Sequence, residues 1–129
     1  MADAWRVLVT GSQDWPAPGV IRGALAAQAV KAYELGRPMV IVHGAAQGAD
    51  SVAHAWARGR PGVAVERHRA KWRPYGIYNP QAGFARNRLM VELGADVCLA
   101  FVYHGSHGAT NCAELAEEAG IYVQRYELS

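Results

Sequence analysis

Three unbroken apolar runs along the chain have the length of a buried strand: residues 7–9, 39–42 and 97–102. A strand that is covered on both faces shows such a run, whereas a half-exposed strand alternates between apolar and polar positions. Two weaker apolar runs, 63–65 and 121–123, have more polar flanks. The pattern predicts five strands, of which the last two are edge strands.

Between these runs the apolar residues recur at helical spacing. Each set follows the i, i+3, i+4, i+7 template of an amphipathic helix. In the third set, Leu89 and Leu93 are expected to define the buried side. Regular alternation of strands and helices gives a parallel sheet with right-handed crossovers and helices on both faces. The four helices are predicted over residues 21–32, 49–57, 85–93 and 112–119.

Length and composition fit one well-cored α/β domain. The chain has 129 residues, of which 51% are hydrophobic and 19% charged, which excludes disorder, collagen and coiled coil. No apolar run approaches the roughly 20 residues that span a bilayer, so we expect a cytoplasmic protein with no membrane partner. Cys98 and Cys112 lack CxxC spacing and are expected to be reduced core thiols.

The net charge of +2 conceals a basic segment. Residues 58–88 contain eight lysines and arginines but a single acidic residue, Glu66. Such a segment raises the local concentration of phosphates or nucleic acid, and it is equally compatible with a solvated basic face. The same part of the chain holds the one long irregular stretch, residues 67–81, and stretches of that length are usually functional or mobile.

Candidate chemistry follows the strands, because ligands of an open parallel sheet bind beyond the carboxyl ends of the strands where the strand order reverses. Gly11 follows the first strand. Glycine-rich segments at 43–50 and 104–111 lead directly into helices, where backbone N–H groups at the positive end of the helix dipole suit a phosphate. Neither is a GxGxxG or Walker sequence. Arg86, near the start of the third helix, is placed to reach the same crevice.

Histidines near these junctions have simpler interpretations. His104 and His107 could suggest a metal, but no third ligand stands at metal-like spacing, so no metal site is predicted. His54 is interpreted as a surface or packing residue. Asp50 in turn has the simple role of a first-turn carboxylate that favours the helix dipole.

Short segments spread along the chain carry a family resemblance: 10–15, 44–50, Trp72, Gly83, 86–90, 94–96 and 105–110. As a set, in this order, they resemble the small stand-alone YspA/cpYpsA-related branch of the SLOG superfamily. The similarity runs from about residue 6 to residue 123. It implies a single Rossmann-like three-layer domain over residues 1–129. It also implies a nucleotide or nucleotide-derived ligand such as ADP-ribose or an NAD derivative, with no further cofactor required.

Two better-known branches of the superfamily bracket the possible functions. The Lonely Guy phosphoribohydrolases have an Arg-Lys-x-x-Met segment that residues 86–90 resemble, and a glycine-rich segment ending in a catalytic glutamate that residues 105–110 resemble. Here the position three after Thr110 is Ala113, and the nearest acid, Glu114, is rotated about 100° further round the helix. The DNA-processing protein A family, whose members bind single-stranded DNA, resembles this chain at residues 43–54 and 86–88.

The leading expectation is a domain that binds or senses a nucleotide-derived small ligand. Gly44, Gly48 and the following helix would hold one phosphate, and the segment 105–110 a second phosphate or the ribose. Arg86 would contact phosphate, and Asn87 would fix the orientation. The remaining expected contacts are Asp50 to a ribose hydroxyl or to its own loop, and Trp15 or Trp72 over a base. The full set of expected ligand contacts is Gly11, Ser12, Asp14, Trp15, Gly44, Ala45, Gly48, Asp50, Trp72, Arg86, Asn87, Gly105, Ser106, Gly108 and Thr110.

Two alternatives stay open. The first is a nucleotide-processing hydrolase, a Lonely Guy-like N-glycosidase with Glu114 or Asp50 as the acid or base. The second is single-stranded nucleic-acid binding by the basic segment with Trp72, Tyr75 and Tyr78. Relatives with this fold are commonly dimeric or larger, so the resemblance also implies a homo-oligomer, and the alanine-rich face of the first helix would permit close helix packing.

Overall fold

The computed structural model describes residues 3–129 and contains one five-stranded sheet. The strands are β1 (Trp5–Gly11), β2 (Met39–His43), β3 (Val63–Arg67), β4 (Val97–Tyr103) and β5 (Tyr122–Leu128). Their order across the sheet is β3-β2-β1-β4-β5, and every neighbouring pair is parallel. The two weaker apolar runs are the edge strands, as predicted.

Four helices connect the strands: α1 (Pro18–Glu34), α2 (Ala49–Ala57), α3 (Ala82–Leu93) and α4 (His107–Glu118). The helices cover both faces of the sheet. Successive β1 side chains point to opposite sides, so each face has an apolar surface on which helices pack. Val7 packs with α1 and α2, while Leu8 packs with Met90 of α3 and Cys112 of α4. The predicted α/β Rossmann-like domain is confirmed. Both cysteines, Cys98 and Cys112, are free and buried in the second of these layers.

The buried side of α3 differs from the predicted one. Leu89 and Leu93 are 46% and 52% exposed, whereas Asn87, Met90 and Val91 are buried. The helix α3 has two partly apolar sides. Because the inward side contains the polar Asn87, the apolar pattern favoured the other side as the buried one. Asn87 is buried because the protein satisfies its amide with hydrogen bonds.

The segment between β3 and α3 is irregular apart from a short 3₁₀ turn at Pro74–Gly76. Tyr75 within that turn is fully exposed, and its backbone φ of 59° is in the left-handed region. Within residues 3–129, no helix has the length and apolar character needed to cross a bilayer.

Candidate functional site

The strand order reverses at β1, which has β2 on one side and β4 on the other. The carboxyl ends of these strands and the loops after them enclose a cavity of about 550 Å³, here called the central cavity. This is the position at which open parallel sheets bind ligands. Eight of the residues singled out from the sequence line it: Gly11, Asp14, Asp50, Trp72, Arg86, Asn87, Ser106 and Gly108.

The carboxylate of Asp50 closes the loop between β2 and α2. Its Oδ2 accepts hydrogen bonds from the backbone N–H groups of Gly44 (3.0 Å) and Ala46 (3.3 Å). Its Oδ1 is buried and has no hydrogen-bond partner in residues 3–129. Burial raises the pKa of Asp50 to about 6, against the opposing effects of these two hydrogen bonds and of the Arg86 charge. Asp50 therefore braces the loop with one oxygen, and its other oxygen is buried without a partner.

In the loop after β2, backbone N–H groups that were expected to bind a phosphate already donate hydrogen bonds to side chains of the protein. The N–H groups of Gly44 and Ala46 donate to Asp50, and the N–H of Ala45 donates to Nδ1 of His43 at 2.9 Å. Gly48 has a φ of 75°, and a Cβ there would lie 2.5 Å from the Gln13 carbonyl oxygen. Gly48 thus lets the loops after β1 and β2 pack closely, rather than lining the central cavity.

His43, which the sequence analysis left out of the site, is a buried neutral imidazole. Because Nδ1 accepts from Ala45, the proton must lie on Nε2, which donates to Nδ1 of His54 at 3.1 Å. Burial lowers the pKa of His43 to about 4, and the charges of His54 and Arg67 add to this. His54 packs edge-on against the His43 ring, in agreement with the packing role expected for it.

Arg86 reaches back from α3 to the end of β2. Its Nη1 donates to the Gly44 carbonyl oxygen at 2.6 Å, and its Nε donates to Oδ1 of Asn87 at 2.9 Å. A Cβ on Gly44 would lie 2.6 Å from Cζ of Arg86 and would collide with Nη1. No acceptor for Nη2 is found among residues 3–129. The side chain is held in place by two of its nitrogens, and the third is available to a ligand.

Asn87 links α3 to the start of α4. Its Nδ2 donates to the Gly108 carbonyl oxygen and to Oδ1 of Asn111, each at 3.2 Å, while its Oδ1 accepts from Arg86. All the principal hydrogen-bonding capacity of this buried amide is used within the protein. Asn87 consequently positions Arg86 relative to α4.

The start of α4 presents its first turn to the central cavity. Ser106, Gly108 and Ala109 line the cavity, and no side chain caps the helix within the described part of the chain. The first N–H groups of a helix have no partner inside the helix and carry its positive dipole end. Unlike the loop after β2, this helix start holds no internal carboxylate.

Three expected residues lie beside the central cavity in a shallower one of about 360 Å³. Gly105 and Thr110 line it together with Glu114, one of the two carboxylates expected to act in a hydrolase. Asp50, the other, lies in the central cavity itself.

The two tryptophans expected near a base have different environments. Trp72 is 46% exposed at the mouth of the central cavity, where its ring stacks on Tyr78 with a centroid distance of 6.3 Å. Trp15 is buried against Phe101, and its indole N–H donates to the Ala17 carbonyl oxygen at 2.7 Å. Trp15 is therefore part of the core, since an apolar face was available beneath α1.

Ser12 also has a structural role. Its Oγ accepts from the Tyr103 N–H at 2.8 Å and so ties the loop after β1 to the end of β4. Gln13 and Phe84 line the central cavity but were not among the predicted contacts, and neither was the buried His43. The signal for two of them was their place at the carboxyl ends of central strands: His43 is the last residue of β2, and Gln13 lies two residues after β1.

Comparison with known proteins places the chain in a family. The YAcAr family, described as the YspA, cpYpsA-related SLOG family, matches residues 5–75. The chain belongs to this family. It is also 43% identical over 123 residues to the Gene 61 protein of Mycobacterium phage D29, which covers 92% of this chain and 93% of that protein. No solved structure matches. Membership of a SLOG family points to nucleotide-related binding or processing.

Proposed function

We propose that the central cavity binds a small nucleotide-derived ligand of the ADP-ribose, NAD-derivative or nucleoside-phosphate class. The observation that carries the proposal is Asp50, a residue that lines this cavity and whose Oδ1 is a buried acceptor without a partner. An unsatisfied buried acceptor is destabilising, and a ligand hydroxyl would satisfy it. The cavity volume of about 550 Å³ falls in the usual range for small-ligand sites.

The phosphate of such a ligand would lie between Arg86 and the start of α4. Nη2 of Arg86 supplies a charge-assisted donor, and the first turn of α4 supplies backbone N–H groups and a positive dipole end. The loop after β2 is less suited to this role, because the Asp50 carboxylate already occupies its N–H groups. Family membership in SLOG supports a nucleotide as the ligand.

The sugar and base would occupy the remaining wall. A ribose hydroxyl donates to Oδ1 of Asp50, and the base covers the exposed face of Trp72 beside Phe84. In this arrangement Asp50 recognises the sugar, Arg86 the phosphate and Trp72 the base.

A comparison of AMP with 2′,3′-dideoxy-AMP tests this assignment. Asp50→Asn retains an oxygen for the two loop N–H groups but turns an amide donor toward the ligand. We expect the variant to bind AMP at least about tenfold more weakly and to bind the dideoxy compound like the wild type. Glu114→Gln, on the neighbouring cavity, serves as the matched control and should leave both affinities unchanged. Equal affinity of wild type and Asp50→Asn for AMP would remove the assignment.

The same carboxylate supports a second candidate function, an N-glycosidase. A buried acid at a cavity wall with a pKa near 6 has the properties of a general acid or base near neutral pH. Incubation with AMP or ADP-ribose should then release a free base, measurable by chromatography. Release that is lost in Asp50→Asn and retained in Glu114→Gln would support the hydrolase.

A further inference from the structure

A second cavity of about 510 Å³ lies on the other flank of α3 and shares Arg86 with the central cavity. We call it the basic groove. It is lined by the cationic side chains Arg67, Arg69 and Lys71 and, along α3, by Ala85 and Leu89. The groove thus combines a row of positive charges with an apolar wall.

The charges of the basic groove are not neutralised by the protein. Glu66 is the sole acid of residues 58–88: it accepts two hydrogen bonds from Arg6 (2.9 and 3.0 Å) and contacts His68, which also lines the groove, at 2.8 Å. Within residues 3–129, none of the three groove cations forms a salt bridge. Three clustered cations without counter-charges attract an external anion.

The groove is continuous with the site proposed for the nucleotide. A third cavity, of about 380 Å³, is lined by Arg69, Trp72 and Arg86 and lies between the other two. Trp72 also lines the central cavity, and Arg69 also lines the basic groove. A ligand whose phosphate contacts Arg86 can therefore extend past Arg69 into the basic groove without meeting an acidic lining residue of the third cavity.

We propose that the ligand is a phosphodiester-linked chain of at least two nucleotides, with one phosphate at Arg86 and the next in the basic groove. This inference rests on the function proposed above. The two phosphates of a pyrophosphate are adjacent, so Arg86 and the start of α4 would hold both of them and leave the groove empty. A nucleotide chain separates its phosphates by a sugar and presents a base to the apolar wall at Ala85 and Leu89.

The test measures the affinities of AMP, ADP and the 5′-phosphorylated dinucleotide pApA by calorimetry. We expect pApA to bind about tenfold more tightly than AMP, with the gain shrinking as salt is raised. ADP carries an additional phosphate without the spacing and should not show this gain.

A double variant locates the effect. Arg67 and Lys71 line the basic groove alone among the cavities and are exposed, so Arg67→Gln with Lys71→Gln should fold normally. We expect it to bind AMP like the wild type and to lose the gain for pApA. Arg88→Gln is the matched control, since this exposed arginine of the same basic segment lines none of the three cavities and should retain the gain.

The outcomes separate the two proposals. Equal affinity for AMP and pApA overturns the inference and leaves the nucleotide site standing, as does a double variant that weakens AMP and pApA equally. If no nucleotide binds, the proposed function fails and the inference fails with it. A 5′-phosphorylated deca-adenylate distinguishes a nucleic-acid strand from a free dinucleotide, since both contain phosphodiester-linked nucleotides. Affinity that rises further with length indicates a nucleic-acid strand, and unchanged affinity indicates a free dinucleotide.

Discussion

The guanidinium of Arg86 lies against the backbone of Gly44, whose carbonyl oxygen accepts a 2.6 Å hydrogen bond from Nη1. The two residues are 42 positions apart and join α3 to the end of β2. Glycine at position 44 leaves room for this guanidinium, because a Cβ there would lie 2.6 Å from Cζ of Arg86. The glycine that seemed suited to cradle a phosphate instead makes room for the arginine that we propose contacts it.

Gly44→Ala is expected to displace the Arg86 side chain without removing its charge. We predict a loss of about 1 kcal/mol in the free energy of unfolding, because the guanidinium can move aside but then loses its hydrogen bond to the Gly44 carbonyl oxygen. Nucleotide affinity should fall in parallel, since Nη2 is moved. Urea denaturation and calorimetric titration measure the two effects. Gly23→Ala, a helical position with open space around it, should be neutral or slightly stabilising. Wild-type affinity in Gly44→Ala would show that the placement of Arg86 is irrelevant to binding.

Gly48→Ala and Gly59→Ala separate backbone strain from steric overlap, because the two glycines have nearly equal backbone geometry. Their φ values are 75° and 72°, so both substitutions impose the strain of a left-handed residue. At Gly48 the Cβ also meets backbone carbonyls of Ser12 and Gln13, whereas at Gly59 nothing lies within 4 Å. We expect a destabilisation of about 1 kcal/mol at Gly59 and of more than about 3 kcal/mol at Gly48. Similar midpoints in urea for the two variants would contradict the close packing of the two loops.

Asp50 and His43 give opposite contributions to stability between pH 4 and 6.5. The folded chain holds the Asp50 proton up to a pH of about 6, while an unfolded aspartate with the ordinary pKa of 3.8 releases it earlier. The contribution of Asp50 therefore falls as the pH rises through this range. Folded His43 takes up its proton only near pH 4, against an ordinary pKa of 6.5, so its contribution rises with pH.

Single variants separate these opposing contributions. Asp50→Asn removes the falling contribution, so its thermal midpoint should increase more steeply than that of the wild type between pH 4 and 6.5. His43→Gln removes the rising one and should show a flatter or falling profile. Thermal melts at intervals of half a pH unit measure both. The account of Asp50 fails if the profiles of wild type and Asp50→Asn are parallel.

Asn87→Ala tests whether this amide positions Arg86. The substitution leaves the Gly108 carbonyl, the Asn111 side chain and Nε of Arg86 without their partner. We expect a loss of about 2–4 kcal/mol in unfolding free energy, because several polar groups lose hydrogen bonds at a buried position. Asn79→Ala, which removes one exposed hydrogen bond to the Gln81 N–H, should cost about 1 kcal/mol or less. Equal losses in the two variants would contradict the positioning role.

Hydrophobic periodicity was enough to predict the sheet and its helices. An unbroken apolar run such as 97–102 is typical of a strand buried at the centre of a parallel sheet, and the more polar flanks of 63–65 and 121–123 identified the edge strands. For α3, hydrophobic periodicity predicted the wrong buried side, since Asn87 faces inward and Leu89 faces outward. A polar residue can take a buried position when partners distant in sequence satisfy it, and those partners are not visible in a local pattern.

The sequence was enough to predict which loops form the candidate site, but not the hydrogen bonds within those loops. The carboxyl-end rule brought Asp50, Arg86 and Ser106 to one cavity. The sequence could not show that Asp50 already binds the N–H groups of its own loop, because that depends on a turn geometry set by the whole fold. For the same reason Trp15 could be proposed near a base, although the core beneath α1 accommodates it.

A thermal-shift panel tests the nucleotide site most directly. AMP, ADP, ADP-ribose, NAD and pApA are each added at fixed salt to wild type, Arg86→Ala and the matched Arg88→Ala. A ligand at 100 times its dissociation constant adds about 2.7 kcal/mol of stability, which raises the midpoint by several degrees. We predict such a shift with at least one of these compounds in wild type and Arg88→Ala, and none in Arg86→Ala. An unchanged midpoint with every compound, or a full shift in Arg86→Ala, would contradict the proposed site.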